Sequence, residues 1–343
     1  MKHSKFVAPA TCWRKPGAAA CIYVGFAVYL YQPYFKNFDA IRYLLVTNVC
    51  LGSLGCYLLS RRWVAGFAES LLAGALYGFG PFSLGLIKFH PTAGLLVAAI
   101  PWLFFPAAFG PKAKWRWLAV PLSSLPFLAI LLFFQLSARY YLYPMPIQLK
   151  LHRADLVGLL APLVAAKRGT TLVGLYHIPI AALIIGSSML LAARRYGVML
   201  ILVIATILAF CDSFLHVSPM IWLAVSVLCC SILAGAGMQG LIRAGFADRK
   251  WLLADTALMG IFAVGTLLLA TGYFHTFLGP GSEYAKLFGE AAKMYTLGAI
   301  AVTILFFITR AKLRACRLRQ VLLCTAMTVD IFFGARFIVD HIL

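Results

Sequence analysis

Charge, and acidic charge above all, is what this sequence has least of. Charged residues make up 12% of its 343, with 10 Asp and Glu against 30 Lys and Arg. A soluble domain carries about 25% charged and about 45–50% apolar residues, whereas 63% of this chain is hydrophobic. That balance excludes an ordinary soluble fold. There is no CxxC pair and no His/Cys spacing suited to a metal. Of the nine cysteines, Cys21, Cys50, Cys56, Cys211, Cys229, Cys230 and Cys324 fall in apolar runs and read as small packing residues. Cys12 and Cys316 fall in basic segments. No hydrolase elbow, zinc helix, P-loop or dinucleotide fingerprint is present. The glycines of ALYGFGPFSLG follow no strand and precede no Lys-Ser/Thr, so they read as close helix packing through small residues.

What the chain has in abundance is apolar runs long enough to cross ~30 Å of hydrocarbon. These predict an all-α, polytopic transmembrane bundle, a single domain over 1–343. About eleven spans of the ~17–25 residues a crossing needs can be drawn, at 17–34, 42–60, 63–84, 91–109, 116–137, 172–193, 197–214, 220–242, 251–273, 294–310 and 319–340. The start, MKHSKFVAPATCWRKPG, has the charge of a signal peptide but no A-x-A cleavage site, and reads as leading into an uncleaved first span.

With the N-terminus in the cytoplasm, the short inside loops collect the basic clusters. They hold Lys2, Lys5, Arg14 and Lys15; Arg61 and Arg62; Lys112, Lys114 and Arg116; Arg194 and Arg195; Arg243, Arg249 and Lys250; and Arg310, Lys312, Arg314, Arg317 and Arg319. The net charge of +20 therefore sets topology and meets anionic headgroups rather than nucleic acid. Membrane lipids are the partners this implies; the sequence leaves protein partners open.

Two outside segments are long. Residues 139–171 carry Arg139, Lys150, His152, Arg153, Asp155, Lys167 and Arg168. Within them Leu156, Leu159, Leu160, Leu163 and Val164 form one helical stripe, interrupted by Pro162, which predicts an interfacial helix over 154–168. Residues 274–293 form the second, with a short outer helix predicted over 283–293 and Ser282 as its N-cap.

Charged and imidazole groups recur at the outer span ends: Lys36, Asp39 and Arg42; Lys88 and His90; Lys150, His152, Arg153 and Asp155; Asp212 and His216; His275, Glu283 and Lys286. Ends that converge would make a cationic cavity suited to an anionic ligand such as a lipid-linked phosphate. Lys36, Arg42, Lys88, His90, Lys150, His152 and Arg153 are its candidate phosphate contacts. The simpler alternative is ordinary interfacial side chains reaching water. No cofactor is called for; phosphate chemistry admits a divalent metal, but no motif for one is present. Deeper in the spans, Glu69 and Asp255 are placed to reach water from the cytoplasmic side. Asp330, mid-span, needs a partner on another helix and reads as a polar clamp, with a proton relay as the alternative. Arg336 and Asp340 are four apart and can meet on one helix face.

Four segments carry a family resemblance: TNVCLGSLGCYLLSRRWVAGFAESLLAGALYGFGPF, HPTAGLLVAAIPWLFF, ADLVGLLAPLVAAKRGTTLVGLYHIPIAALIIG and SPMIWLAVSVLCCSILAGAGMQGLI. In this order they resemble the bacterial YfhO-like membrane proteins of the GT-C glycosyltransferase superfamily. Leu159, Leu160 and Pro162 stand at that family's Leu-Leu-x-Pro element, and Leu233, Ala234, Gly235 and Gly237 at its Leu-Ala-Gly-x-Gly element. The resemblance covers 48–243. It implies an enzyme of the bacterial inner membrane that uses a polyprenyl-phosphate-linked sugar at the non-cytoplasmic face, with an acid on the first outer loop activating the acceptor. That loop, YQPYFKNFDAIR, is short here and Asp39 is its sole acid. Either Asp39 is the catalytic residue or the catalytic front end is missing. A transporter or flippase of an anionic lipid or solute, and a non-catalytic membrane subunit, are the rival readings.

Overall fold

The computed structural model describes residues 14–38, 42–61, 64, 66–86, 91–105, 125, 129, 156–168, 175–192, 196–211, 219–243, 249–276, 283–310 and 316–343. Every regular element among them is a helix. They are α1 (Arg14–Tyr31), a 3-10 turn (Gln32–Asn37), α2 (Tyr43–Ser60), α3 (Phe67–Gly78), α4 (Pro81–Gly85), α5 (Pro91–Leu103), α6 (Val157–Leu160), α7 (Pro162–Arg168), α8 (His177–Ala192), α9 (Tyr196–Phe210), α10 (Pro219–Arg243), α11 (Arg249–Thr276), α12 (Glu283–Arg310) and α13 (Cys316–Ile342).

The chain is thus all-α, and five of these helices are long and apolar enough to cross a membrane: Tyr43–Ser60, Pro219–Arg243, Lys250–Gly272, Glu283–Thr309 and Cys316–Ile342. Fewer described helices meet that length than the spans drawn from hydropathy. The expected span 63–84 is two helices, α3 and α4, because Gly78-Phe79-Gly80-Pro81 ends one and starts the next. The expected span 91–109 stops at Leu103, just past Pro101. Among the described residues of 172–193 and 197–214, the helices are the 16 residues of α8 and the 15 of α9. Span 116–137 lies outside the described residues apart from 125 and 129.

Residues 283–293 are not a separate outer helix. They are the first turns of α12, whose 28 residues extend ~42 Å at ~1.5 Å each. That exceeds ~30 Å of hydrocarbon, so the polar start with Glu283, Lys286, Glu290 and Lys293 has helix to spare beyond the apolar part. The stretch 154–168 also departs from expectation. Pro162 does break it, pushing Ala161 out of the helical region to φ −142, ψ 82. However, Ala161, Pro162, Leu163, Val164, Ala165 and Ala166 are all buried, not just one stripe. α7 packs into the core against α12, α13 and α4.

α10 is the interior helix, with 78% of its apolar window buried, whereas the same measure for α11 is 22%. Small residues let α10 approach α8 closely: a Cβ on Gly237 would fall on the Ala182 carbonyl, and one on Gly186 on the Leu233 carbonyl. α3 sits on α2 in the same way, since a Cβ on Gly78 would meet Ser53 Oγ and come within 2.5 Å of the Val49 carbonyl. The small-residue reading of ALYGFGPFSLG therefore holds. α13 contacts α1, α3, α4, α7, α8, α10 and α12, and so joins the N- and C-terminal parts.

Tyrosines stitch these helices by donating to main-chain carbonyls of their neighbours. Tyr23 donates to Leu71 O at 2.7 Å, Tyr77 to Val97 O at 2.6 Å, and Tyr295 to Leu160 O at 2.8 Å. Tyr176 donates to Phe79 O at 2.6 Å, at the break between α3 and α4 where a helix-end carbonyl lacks its own partner.

Candidate functional site

At one end of the bundle α1 gives way to the 3-10 turn, which Pro33 opens. The Tyr34 hydroxyl donates to Asp340 Oδ1 at 2.6 Å, and Arg336 Nε donates to Asp340 Oδ2 at 2.9 Å. The i,i+4 pair expected on the last helix is thus present, and it anchors the turn after α1. Arg42 donates from its guanidinium to Asn37 O at 3.1 Å. Lys36 and Arg42 are exposed and Arg336 is half-buried. Phe35, Phe38 and Tyr43 pack their rings against one another in the same stretch, 5.5–6.1 Å between centroids. At the start of α12, Glu283 pairs with Lys167 of α7.

Tyr34 and Arg336 thus meet at Asp340, with Lys36 in the adjoining turn and Arg42 bonded to that turn at Asn37. Asp39, Lys88, His90, Lys150, His152 and Arg153 lie outside the described residues, as do Asp155 and Ser282. Burial and the bond to the Asp340 carboxylate raise the Tyr34 phenol above its ordinary value, and Arg336 opposes the shift. A raised value means that the neutral phenol is the favoured form. The contribution of this bond is intact below about pH 10, the unfolded tyrosine value, and is lost as pH rises through the raised one. Spectrophotometric titration of the wild type against Tyr34→Phe is expected to show Tyr34 ionising above that range. A midpoint at or below it would mean that the turn is not bonded to α13.

Asp330 belongs elsewhere. It precedes Asp340 by ten residues, ~15 Å along the helix, and is 1% exposed. Its partner is His177, the first residue of α8: Nδ1 lies 3.1 Å from Oδ1, while the Ile178 N–H donates to Oδ2 at 2.7 Å. The carboxylate thus caps the N-terminus of α8, where a negative charge is favoured. The expected clamp to another helix is present, and its partner is a residue that reading the sequence did not single out. His177 is 1% exposed, its Nε2 has no hydrogen-bond partner, and its ring stands at 88° to that of Tyr295, 5.0 Å between centroids.

Two other acids correct an expectation. Glu69 and Asp255, placed to reach water, are 4% and 3% exposed. Glu69 folds its carboxylate over Gly66 at the N-terminus of α3, and neither Asp255 oxygen has a hydrogen-bond partner. Between α1, α2, α3 and α5 a small cavity is lined by Tyr31, Asn48, Gly52, Ser83, Gly94 and Ala98, among others, with room for about one ordered water. Among the described residues no three His, Cys, Asp or Glu side chains are grouped to hold a metal ion.

Compared with protein-family models, with curated proteins and with solved structures, the chain finds no match. The GT-C-like reading rests on the sequence segments alone.

Proposed function

We propose that this protein is a multi-pass membrane protein of about eleven spans that binds a polyprenyl-phosphate-linked sugar at its non-cytoplasmic face, its N-terminus being cytoplasmic. The observation that supports binding is that the exposed Lys36 and Arg42 flank the aromatic turn that Tyr34 bonds to α13. Cations at that level meet phosphate oxygens through charge-assisted hydrogen bonds, and the rings hold the turn at headgroup depth. Transfer of the sugar to a cell-envelope acceptor needs an acid as well, and the resemblance assigns Asp39.

The test is binding of polyprenyl phosphate, and of the uncharged polyprenol, to the full chain in lipid nanodiscs. Lys36→Ala with Arg42→Ala is expected to weaken phosphate binding by about tenfold or more, since each charged hydrogen bond contributes about 1.5–3 kcal/mol. Polyprenol binding should stay unchanged. Equal affinity for both lipids, unaltered in the variant, would remove the proposal. Asp39→Asn is expected to end sugar transfer while leaving lipid binding intact. Transport of the same lipid is the second reading, favoured by the ionisable groups buried at membrane depth, His177, Asp330 and Asp255. Substrate-dependent labelling of single cysteines from both membrane faces separates it from transfer.

A further inference from the structure

We propose that the cavity between α1, α2, α3 and α5 is a binding site for one ordered water, which joins the end of α1 to α2 and α4 through hydrogen bonds. The site does not depend on which lipid the neighbouring turn meets. Tyr31, the last residue of α1, is 0% exposed. It lines the cavity, and its hydroxyl finds no hydrogen-bond partner among the described residues. A buried hydroxyl without a partner is costly, and the water-sized space beside it supplies one. Two more polar side chains share the wall, Asn48 on α2 and Ser83 on α4. Ser83 Oγ donates its proton to Tyr77 O at 2.5 Å and keeps its lone pairs as acceptors. Asn48 reaches towards α5, where a Cβ on Gly94 would lie 2.7 Å from its Nδ2; glycine at 94 leaves that space to the amide. A bound water accepts from Tyr31, donates to Ser83 and meets the Asn48 amide, within the two to four polar partners such a water needs.

The rest of the wall decides against a larger or a charged occupant. The Tyr77 hydroxyl is committed to Val97 O at 2.6 Å. A Cβ on Gly52 would stand 3.4 Å from the Tyr77 ring and 3.5 Å from Ala98 Cα, so α2, α3 and α5 already touch on that side. None of the lining side chains is charged, so the site selects neither an anion nor a cation. Water reaches it from the bundle end: Ser83 and Gly94 are only partly buried, and Tyr31 is followed by the exposed Gln32 and Pro33. The site therefore lies under the turn Gln32–Asn37. The Tyr31 ring is 6.1 Å from that of Phe38 between centroids, and the Phe38 N–H closes the turn by donating to Phe35 O at 3.3 Å. A water that holds Tyr31 to α2 and α4 fixes the point from which this turn starts.

The experiment uses the full chain in lipid nanodiscs with carbon-labelled tyrosine, and water is the probe. Magnetisation passed from water is expected to reach the Tyr31 ring but not that of Tyr176, which is equally buried and has its hydroxyl committed to Phe79 O. Tyr31→Phe is expected to raise the ratio of unfolded to folded protein about fivefold, because it removes a hydrogen bond to the water; removing a hydroxyl that bonds to nothing would leave the ratio unchanged or lower it. Ser83→Ala acts on the same water, so the double variant should lose less than the two single losses combined. Amide exchange at Phe38 should quicken in Tyr31→Phe by up to about the same fivefold factor. A Tyr31 ring as silent as Tyr176, or a Tyr31→Phe variant no less stable than the wild type, would mean a dry cavity and end the proposal. Fully additive losses would show that the two hydroxyls share no water. Unchanged exchange at Phe38 would show that the water does not hold the turn.

Discussion

Replacing Asp330 by alanine is expected to destabilise the folded bundle by about 2–4 kcal/mol, the cost of leaving two buried hydrogen-bonding groups, the Ile178 N–H and the His177 ring, without their partner. Asp330→Asn should cost about 1–2 kcal/mol, because its amide oxygen still accepts from the Ile178 N–H. The size matters because an ordinary hydrogen bond between membrane helices averages only about 0.6 kcal/mol. Asp330 accepts from the Ile178 N–H and is hydrogen-bonded to His177 Nδ1, and α13 contacts α1, α3, α4, α7, α8, α10 and α12. Loss of the carboxylate therefore leaves two buried polar groups unanswered and loosens the helix that joins the two parts of the chain. Unfolding of the purified variants in mixed micelles measures the difference. A ranking in which alanine and asparagine are equal, both near the ordinary value, would show that the pair is only one bond among many.

Local patterns in the sequence foretold those parts of the structure that depend on neighbours within a turn or two. The apolar runs at 42–60, 220–242 and 251–273 correspond to α2, α10 and α11. The Arg336–Asp340 contact follows from their spacing of four, and the glycines near 74–80 are packing residues. What was not legible joins residues distant in the chain. His177 and Asp330 are 153 apart, and Tyr34 and Asp340 are 306 apart. No periodicity relates such positions, and a lone His at the start of an apolar run carries no sign of its partner. Hydropathy also ends a span where the hydrocarbon ends, whereas a helix continues until a cap or breaker stops it; that is why residues 283–293 were read apart from α12. A stripe of leucines identifies a face that wants burial but not what covers the others, so 161–166 was placed at a surface and is found in the core. Of the candidate phosphate contacts, Lys36 lies in the turn after α1 and Arg42 bonds that turn from just before α2, while Lys88, His90, Lys150, His152 and Arg153 lie outside the described residues.

The same reasoning sets an expectation of opposite sign for one chemical change at two glycines. Gly237→Ala is expected to cost about 3 kcal/mol or more, at or beyond the upper end of ordinary overpacking. The added methyl would fall on the Ala182 carbonyl and 2.7 Å from the Gly186 nitrogen. These are backbone atoms, so no rotamer change relieves the contact. α8 would have to move off α10, whose window is the most buried of the five long apolar helices. Movement of α8 would also shift His177 relative to Asp330, so the variant should lose that contact along with the packing. Gly260→Ala on α11 is the control, since a Cβ there meets nothing within 4 Å. It should leave stability unchanged or raise it by up to about 1 kcal/mol, because alanine holds a helix better than glycine. Unfolding of both variants in one lipid mixture decides the matter. If Gly237→Ala proved as harmless as Gly260→Ala, α8 and α10 would not be in backbone contact, and the small residues of α10 would need another explanation.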